Sequence, residues 1–379
     1  MVSGALSAHG GQILTVLHIL PHDQSRGGQV YAGQLRDALA DHPTQNHRVV
    51  TLFASADAAA RADIKLEASG GLARRLGLDP VALRRLRTVI RNQGADLVVA
   101  HGGEALKYVV PAAGAVPTVY YKIGLSAAEL TRPFHKRLYR LLARKVRKVV
   151  GVSHEVTNQV ESVLNVPASR VTVIPNGRDP QRFRPREAGE TPNSPARVLF
   201  VGALETGKRP DLFLQVVEDL RSRDLDFSAA IVGDGPLRNS LEGRATELGV
   251  EMLGVRQDVP ELLRRSAVLV MTSAPETEGM PGIVIEAALS GVPVVATRAA
   301  GVADVVVPSK TGHIVDGDSA DELADAIAGL LENAELAQRV GAAARERGIA
   351  HFTVATTATK WAALAEELTT PPQGAMADA

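Results

Sequence analysis

The stretch Ser273-Ala-Pro-Glu-Thr-Glu278-Gly-Met-Pro-Gly282-Ile-Val-Ile-Glu286-Ala-Ala-Leu-Ser-Gly291-Val-Pro-Val-Val-Ala296 decides the fold. A Gly-Met-Pro-Gly turn leads into an apolar run, Gly291 and Pro293 stop it, and Val294 to Thr297 is β-branched. The order is loop, helix, stop, strand, a unit of α/β layers. A helix from Gly282 to Ser290 leaves the backbone of Gly279, Met280, Pro281, Gly282 and Ile283 at a helix N-terminus, whose positive end favours an anion such as phosphate. Glu286 then lies one turn inside the helix and Glu278 projects from the loop before it. Either carboxylate can accept hydrogen bonds from sugar hydroxyls. The spacing fits equally well two acids that complement the helix dipole and touch no ligand.

Working outward, 379 residues exceed what one hydrophobic core usually supports, so two domains are expected. Short β-branched runs alternate with amphipathic ones, and aromatics make up only 3% of the chain, which favours α/β layers. The chain has no cysteine. That excludes disulfides, zinc-thiolate sites and thiol nucleophiles, and is compatible with a cytoplasmic location. The apolar run Ile13–Leu20 is too short to span a bilayer and follows no basic segment, so it reads as a strand rather than a signal peptide.

The formal net charge is zero, but residues 1–186 carry 26 Lys+Arg against 13 Asp+Glu, leaving 16 against 29 of the totals of 42 each for residues 187–379. The halves are thus oppositely charged, as two folding units that attract each other would be. The basic half would also draw an anionic partner or surface. Its densest segment is a helix around Phe134–Val149, with Lys136, Arg137, Arg140, Arg144, Lys145, Arg147 and Lys148 interleaved with leucines. Such a pattern fits a core-packed helix with a solvated face, or a helix lying on a membrane surface. Nucleic acid is disfavoured, because stacking aromatics do not accompany the basic residues.

In the first half, strands are expected at Ile13–Leu20, Arg48–Ala54, Asp96–His101, Thr118–Tyr121 and Val149–Val152. Gly27 and Gly28 sit where the first strand hands over to a helix, a turn that either binds a ligand closely or is merely tight. The polar segment Arg186–Pro195 reads as the linker. Beyond it, the strand Arg197–Val201 runs through Gly202 to Lys208, Arg209 and a helix-starting Pro210. Lys208 therefore stands at a strand-to-helix junction on the same sheet edge as the Glu278 loop, where it could neutralise a diphosphate. Strands at Ser228–Val232, Met252–Gly254 and Val268–Thr272 follow. The helix Ala320–Leu331 is expected to end the pattern, capped by Asp318 or Ser319.

The ordered set Gly27-Gly28, Gly151-Val152-Ser153, Pro175-Asn176-Gly177-Arg178-Asp179 with Phe183 and Pro185, Phe200-Val201-Gly202 with Lys208, Gly233-Asp234-Gly235-Pro236, and Glu278 through Glu286 to Val295 resembles the family 4 retaining glycosyltransferases over nearly the whole chain. The resemblance implies an α/β GT-B fold, with two Rossmann-like domains facing each other across a deep cleft. These would be an acceptor-side domain of residues 1–186, onto which a C-terminal helix of about 352–369 packs back, and a nucleotide-sugar domain of residues 187–351. A disordered tail would cover 370–379.

The implied activity is transfer of a hexose from a UDP- or GDP-sugar to a hydroxyl acceptor with retained anomeric configuration. Carried onto matching positions, Lys208 holds the diphosphate, Glu278 the donor sugar, Gly279 to Ile283 the sugar and phosphate, and Glu286 the ribose, with Lys208 and Glu278 as catalytic residues. Gly28 and Gly202 approach the donor, and Val255 and Arg256 match a segment beside the base. No cofactor or metal is expected. The partners implied are the donor and a small-molecule, glycan or lipid-linked acceptor. The location would be cytoplasmic or peripheral at the inner membrane face.

Two departures stand out. Where many members have an arginine, this chain has Ala203, for which Arg209 is the nearest substitute, and the strand Pro117–Gly124 lacks the family's histidine. His101, Tyr121 or Lys122 would line the acceptor side instead. A double displacement needs a second carboxylate about 5 Å from its acid partner, and no obvious one stands in the N-terminal loops. A same-face route needs only positioning and charge stabilisation, and no Asp-x-Asp cluster suited to Mg²⁺ stands out. A nucleotide-sugar 2-epimerase of the same fold and a catalytically silent nucleotide-sugar-binding protein are the alternatives.

Overall fold

The structure, a computed structural model, describes residues 13–23, 27–54, 61–68, 77–124, 133–187 and 193–370. The expected tail beyond Thr370, the centre of the Arg186–Pro195 linker and part of the Pro21–Gly28 loop lie outside the described residues. The chain forms two compact units. Unit 1 takes the chain up to Val152, Val156–Asn176 and everything from Val354 on; unit 2 takes Ser153–Glu155 and Gly177–Thr353.

In unit 1, β1 (Leu14–His22), α1 (Gly27–Ala38), β2 (Gln45–Phe53), β3 (Ile64–Ala68), α2 (Pro80–Asn92), β4 (Leu97–His101), α3 (Gly102–Ala113), β5 (Thr118–Lys122), α4 (Pro133–Lys145), β6 (Lys148–Gly151), α5 (His154–Leu164) and β7 (Val171–Val173) follow in order. The sheet is parallel, in the order β3-β2-β1-β4-β5-β6-β7. Helices cover both faces of such a sheet, so its central strands read as continuous rather than alternating apolar runs. β4 and β5 are buried at every position. Helix α2 starts where the Asp79 carboxylate accepts the amides of Val81 and Ala82 at 2.8 and 3.2 Å, with Pro80 in the first turn.

Unit 2 runs β8 (Ala196–Val201), α6 (Pro210–Arg221), β9 (Phe227–Val232), α7 (Arg238–Glu247), β10 (Val250–Met252), α8 (Val259–Arg264), β11 (Val268–Met271), α9 (Gly282–Leu289), β12 (Val294–Thr297), α10 (Val302–Val305), β13 (Gly312–Val315), α11 (Ala320–Glu332) and α12 (Ala334–His351). Its parallel sheet has the order β10-β9-β8-β11-β12-β13. The order reverses between β8 and β11, and open α/β sheets bind ligands beyond the carboxyl ends of the strands at that reversal. Val268 to Val270 pair with Val198 to Phe200, so Gly202 and Thr272 leave the sheet side by side. The core beneath is built from Phe200, Phe213, Phe227, Ile231, Val270 and Ile327, all buried.

Several boundaries differ from the sequence reading. The units divide at Asn176–Gly177 rather than after residue 186, because Arg178 already pairs with the second unit: its amide bonds Phe352 O at 2.9 Å. The expected helix around Phe134–Val149 is two elements. It stops at Lys145, where Nη2 of Arg170 takes the carbonyls of Ala143 and Arg144 at 3.0 and 3.4 Å, and β6 begins at Lys148. Ala320–Glu332, capped by Ser319, does not end the pattern. Asn333 alone separates it from α12 and caps that helix by accepting the amide of Leu336 at 2.9 Å. The last helix, α13 (Val354–Thr369), belongs to unit 1, where Gln45 Nε2 donates to Ala362 O at 2.9 Å and Trp361 is buried. Among the described residues no helix is long and apolar enough to cross a membrane.

Candidate functional site

The site in unit 2 grows from the two strand ends at the reversal. After β8 the chain passes Gly202 and Ala203 and makes a single 3₁₀ turn, Thr206–Lys208. Arg209 then takes a left-handed conformation (φ 48°, ψ 55°) before Pro210 opens α6. Non-glycine residues rarely adopt this conformation unless neighbours hold them there. Here the hydroxyl of Thr272, at the end of β11, donates to the carbonyl oxygens of Lys208 and Arg209 (3.0 and 2.8 Å), and Arg209 Nε donates back to Thr272 O at 2.7 Å. The amide of Ala274 bonds Gly207 O at 2.9 Å. A Cβ on Gly207 would stand 2.7 Å from Thr277 Oγ1, so a glycine is required for the two loops to close on each other.

This clasp places Lys208 Nζ against Glu278 Oε1, and Ser273 Oγ donates to the same oxygen at 2.7 Å. The Glu278 side chain is 10% exposed and that of Lys208 24%. A buried ion pair of this kind is retained only where both charges are hydrogen-bonded, and removing one partner strands the other. Behind it, Glu278, Gly279, Met280 and Pro281 are buried, whereas Gly282 and Ile283 are half-buried. The turn is wedged from below by Gly301 (φ 75°), where a Cβ would lie 2.5 Å from Gly279 O. Helix α9 starts after Pro281 with no side-chain cap, so its first turn offers amides and the positive helix end to whatever lies outside it.

Glu286, one turn into α9, accepts from Arg178 Nε at 2.7 Å. The sequence reading placed Arg178 in a motif and gave it no role. The only signal was an arginine directly after Asn176-Gly177, since the two partners are 108 positions apart. Gly202 stands beside the Lys208 stem, with a built Cβ 3.9 Å from its Cδ. Val255 is 72% exposed in the turn after β10, and Arg256 beside it forms a two-armed pair with Asp258 at 2.8 and 2.6 Å.

Four expected site residues have partners or cover of their own. The Arg209 guanidinium is taken by Thr272 O, Ser273 O and Asp318, so it fastens the turn that carries Lys208. In unit 1, His101, Tyr121 and Lys122 are 2%, 0% and 3% exposed and line no open surface. β4 and β5 are central strands, and Trp361 of α13 closes over them edge-on to Tyr121 at 5.1 Å. The Tyr121 hydroxyl donates to Asn176 Oδ1 at 2.9 Å. His101 Nε2 bonds His18 Nδ1 at 2.9 Å, and burial pushes its pKa down to about 3. Gly28, also in unit 1, has a packing reason of its own, since a Cβ there would come within 3.0 Å of Ile123.

A cavity of about 930 Å³ in unit 2, lined by Ser266, Ala267, Pro293 and Arg345, opens at the amino ends of the strands, the edge away from Lys208 and Glu278. It is not the site described here, because ligands of parallel sheets bind at the carboxyl ends.

Comparison with known proteins identifies the family. A family described as Glycosyltransferase Family 4 matches residues 25–182, and one described as Glycosyl transferases group 1 matches residues 181–347. A GDP-mannose-dependent alpha-(1-6)-phosphatidylinositol monomannoside mannosyltransferase of Mycolicibacterium smegmatis is 27% identical over 289 residues, 70% of this chain and 75% of that protein. The protein of the same name from Mycobacterium tuberculosis CDC 1551 is 31% identical over 236 residues, 54% of this chain and 60% of its own length. Among solved structures, Anabaena HepE in complex with UDP and glucose superposes with a TM-score of 0.77 at 20% identity, covering 94% of this chain and 100% of that one. Sucrose-phosphate synthase of Thermosynechococcus elongatus gives 0.76 at 18%, covering 94% and 99%. The chain belongs to the family 4 glycosyltransferases, has their GT-B fold, and is a glycosyltransferase that draws on a nucleotide-sugar donor.

Proposed function

We propose that the chain is a retaining hexosyltransferase that moves the sugar of a GDP- or UDP-hexose onto a hydroxyl acceptor without a metal ion. The observation that carries this reading is the Lys208–Glu278–Ser273 cluster at the strand ends beside the uncapped start of α9. Lys208 and the amides of Gly282 and Ile283 stabilise the departing diphosphate, supplying the positive field that a metal would otherwise provide. Glu278 accepts a donor-sugar hydroxyl, and Glu286 takes the ribose. The acceptor oxygen forms its bond to the anomeric carbon on the face from which the diphosphate leaves, and its proton passes to the leaving phosphate oxygen. Such a step needs alignment and charge stabilisation rather than a protein nucleophile. The names of the two mannosyltransferase relatives favour GDP-mannose, and the UDP and glucose bound by HepE keep a UDP-sugar as the second arm.

The surface of α4 supports an acceptor presented at a membrane. Phe134 and Leu141 are 76% and 52% exposed, and Arg137, Arg144 and Lys145 are exposed with them along one side of the helix. An apolar stripe flanked by cations binds anionic lipid surfaces peripherally.

Transfer is measured with GDP-mannose and with UDP-glucose, with and without EDTA, and with Lys208→Ala, and the anomeric configuration of the product is read by NMR. The expected result is a retained configuration, turnover that survives the chelator, and a variant slowed by about 10²–10³-fold. Inverted product, complete loss in EDTA or unchanged turnover in the variant overturns the mechanism.

A further inference from the structure

We infer that Arg178 is a positioning residue of the donor site, which fixes Glu286 through Nε and presents Nη2 to the anionic part of the donor. The inference rests on the nucleotide-sugar reading above. Arg178 Nε donates to Glu286 Oε1 at 2.7 Å and Nη1 donates to Gly177 O at 3.1 Å. The two side chains are 12% and 18% exposed, so solvent screens the pair only in part. Nη2 makes no hydrogen bond within the described residues and lies on the first residue of α9: a Cβ built on Gly282 would collide with it. A guanidinium is therefore pressed against the uncapped, positive end of a helix, two like partial charges side by side. Glu286 balances only one of them. An anion held between Nη2 and the amides of Gly282 and Ile283 would satisfy both, and a planar guanidinium is suited to gripping phosphate oxygens.

The same arrangement explains how the site manages with Ala203, which carries no charge. Lys208 supplies one cation from the loop after β8, and Arg178 supplies a second at the first residue of α9. Meanwhile the bond from Nε holds Oε1 of Glu286, which fixes the carboxylate that the donor reading assigns to the ribose. Gly282 is then required not for a turn but for space, because its missing side chain is the seat of the guanidinium.

The test is calorimetric titration of the full chain with GDP, UDP and the corresponding nucleosides, for wild type, Arg178→Ala, Arg178→Lys and Gly282→Ala. Losing one charge-assisted phosphate contact should weaken the nucleoside diphosphate by about 10- to 100-fold. The nucleoside should lose no more than about 3-fold, the worth of a weak hydrogen bond. Arg178→Lys should recover part of the loss, and Gly282→Ala should reproduce Arg178→Ala by displacing Nη2. Should Arg178→Ala fold poorly, the Arg178→Lys and Gly282→Ala comparisons carry the same test. An equal loss for diphosphate and nucleoside, or no loss for either, overturns the inference while leaving the donor reading intact. Failure of the wild type to bind either diphosphate overturns both.

Discussion

Three buried histidines should make unit 1 unstable in mild acid. His101 of β4, His18 of β1 and His47 of β2 lie on neighbouring strands and form one hydrogen-bonded row: His101 Nε2 to His18 Nδ1 at 2.9 Å, His18 Nε2 to His47 Nδ1 at 3.0 Å, and His47 Nε2 to Gln45 Oε1 at 2.9 Å. Gln45 uses its own amide nitrogen to donate to Ala362 O, so its oxygen faces His47 and must receive a proton. That requirement fixes every tautomer in the row. The one nitrogen left without a partner, His101 Nδ1, is buried. An added proton must therefore sit on a buried, unpaired atom or break a bond in the row. Burial pushes His101 down to about 3. His47 falls to about 4, through burial and then His42. His18 falls well below the ordinary 6.5, through burial and then its two imidazole neighbours.

The sign follows directly. Folded unit 1 keeps all three neutral, whereas the unfolded chain protonates them near 6.5. The unfolded state binds more protons as the pH falls, so stability is complete above that value and declines below it. From about pH 7.5 to about pH 5.5 each histidine removes about 1.4 kcal/mol, or about 4 kcal/mol for the row. Against a typical domain stability of about 5–15 kcal/mol this is a large share. Carboxylates contribute chiefly at lower pH, which keeps the window clean. The sole tryptophan, Trp361, is buried in unit 1 with its ring 5.9 Å from that of His18, so its fluorescence reports this unit. Guanidinium unfolding followed at Trp361 should shift to lower denaturant across that interval. His101→Gln, which keeps an N–H for His18, should reduce the dependence by about one third. A transition midpoint that does not move would refute the argument.

In unit 2, Gly233→Ala should destabilise by about 2–4 kcal/mol, because the position has φ 136° and a Cβ would run into the carbonyl of Gly202; differential scanning calorimetry of unit 2 checks it. Ser273→Ala removes one of the two donors to Glu278 Oε1 but leaves Lys208. It should slow transfer by about 10-fold, measured as kcat/KM, with Ser273→Thr closer to wild type. Asp79→Ala deletes the cap of α2 and should cost about 1 kcal/mol in a urea titration, with no change in donor affinity.

The donor side of the site was legible because its signals are local. Gly202 to Pro210 and Ser273 to Thr297 each spell strand, loop and helix within a few residues, so Lys208 and Glu278 could be placed at strand ends before any contact was known. What stayed hidden was set by contacts between distant parts of the chain. His101, Tyr121 and Lys122 occupy strand-end positions like those of Gly202 and Thr272, yet α13 returns from the end of the chain and sets Trp361 over Tyr121. Nothing near residue 101 or 121 announces that cover. Arg209 is a related case. Its charge suggested a ligand, but the carbonyls of Thr272 and Ser273, more than 60 positions away, take the guanidinium.

The same logic explains why Lys208 and Glu278 meet at all. They are 70 positions apart, with β9, β10, β11 and three helices between them. The chain leaves β8 toward β9 on one side of the sheet and comes back to place β11 on the other. At the carboxyl ends of those two strands the connections diverge, and parallel sheets leave a crevice there. Into that space the chain puts a lysine on a turn clasped by Thr272, a carboxylate on a loop wedged by Gly301, and the first turn of an uncapped helix. These supports rest on close approaches that a bulkier residue would break: of Gly207 to the Thr277 side chain, and of Gly233 and Gly301 to the backbone of Gly202 and Gly279. Substitutions at those three glycines should therefore lower donor affinity without touching a charged group, whereas Lys208→Ala should leave the loop geometry intact and lose the anion. Amide exchange at Gly279 and Gly282 separates the two outcomes: it should rise in Gly301→Ala and stay unchanged in Lys208→Ala, and the opposite pattern would mean that the ion pair, not the glycine contacts, holds the loop.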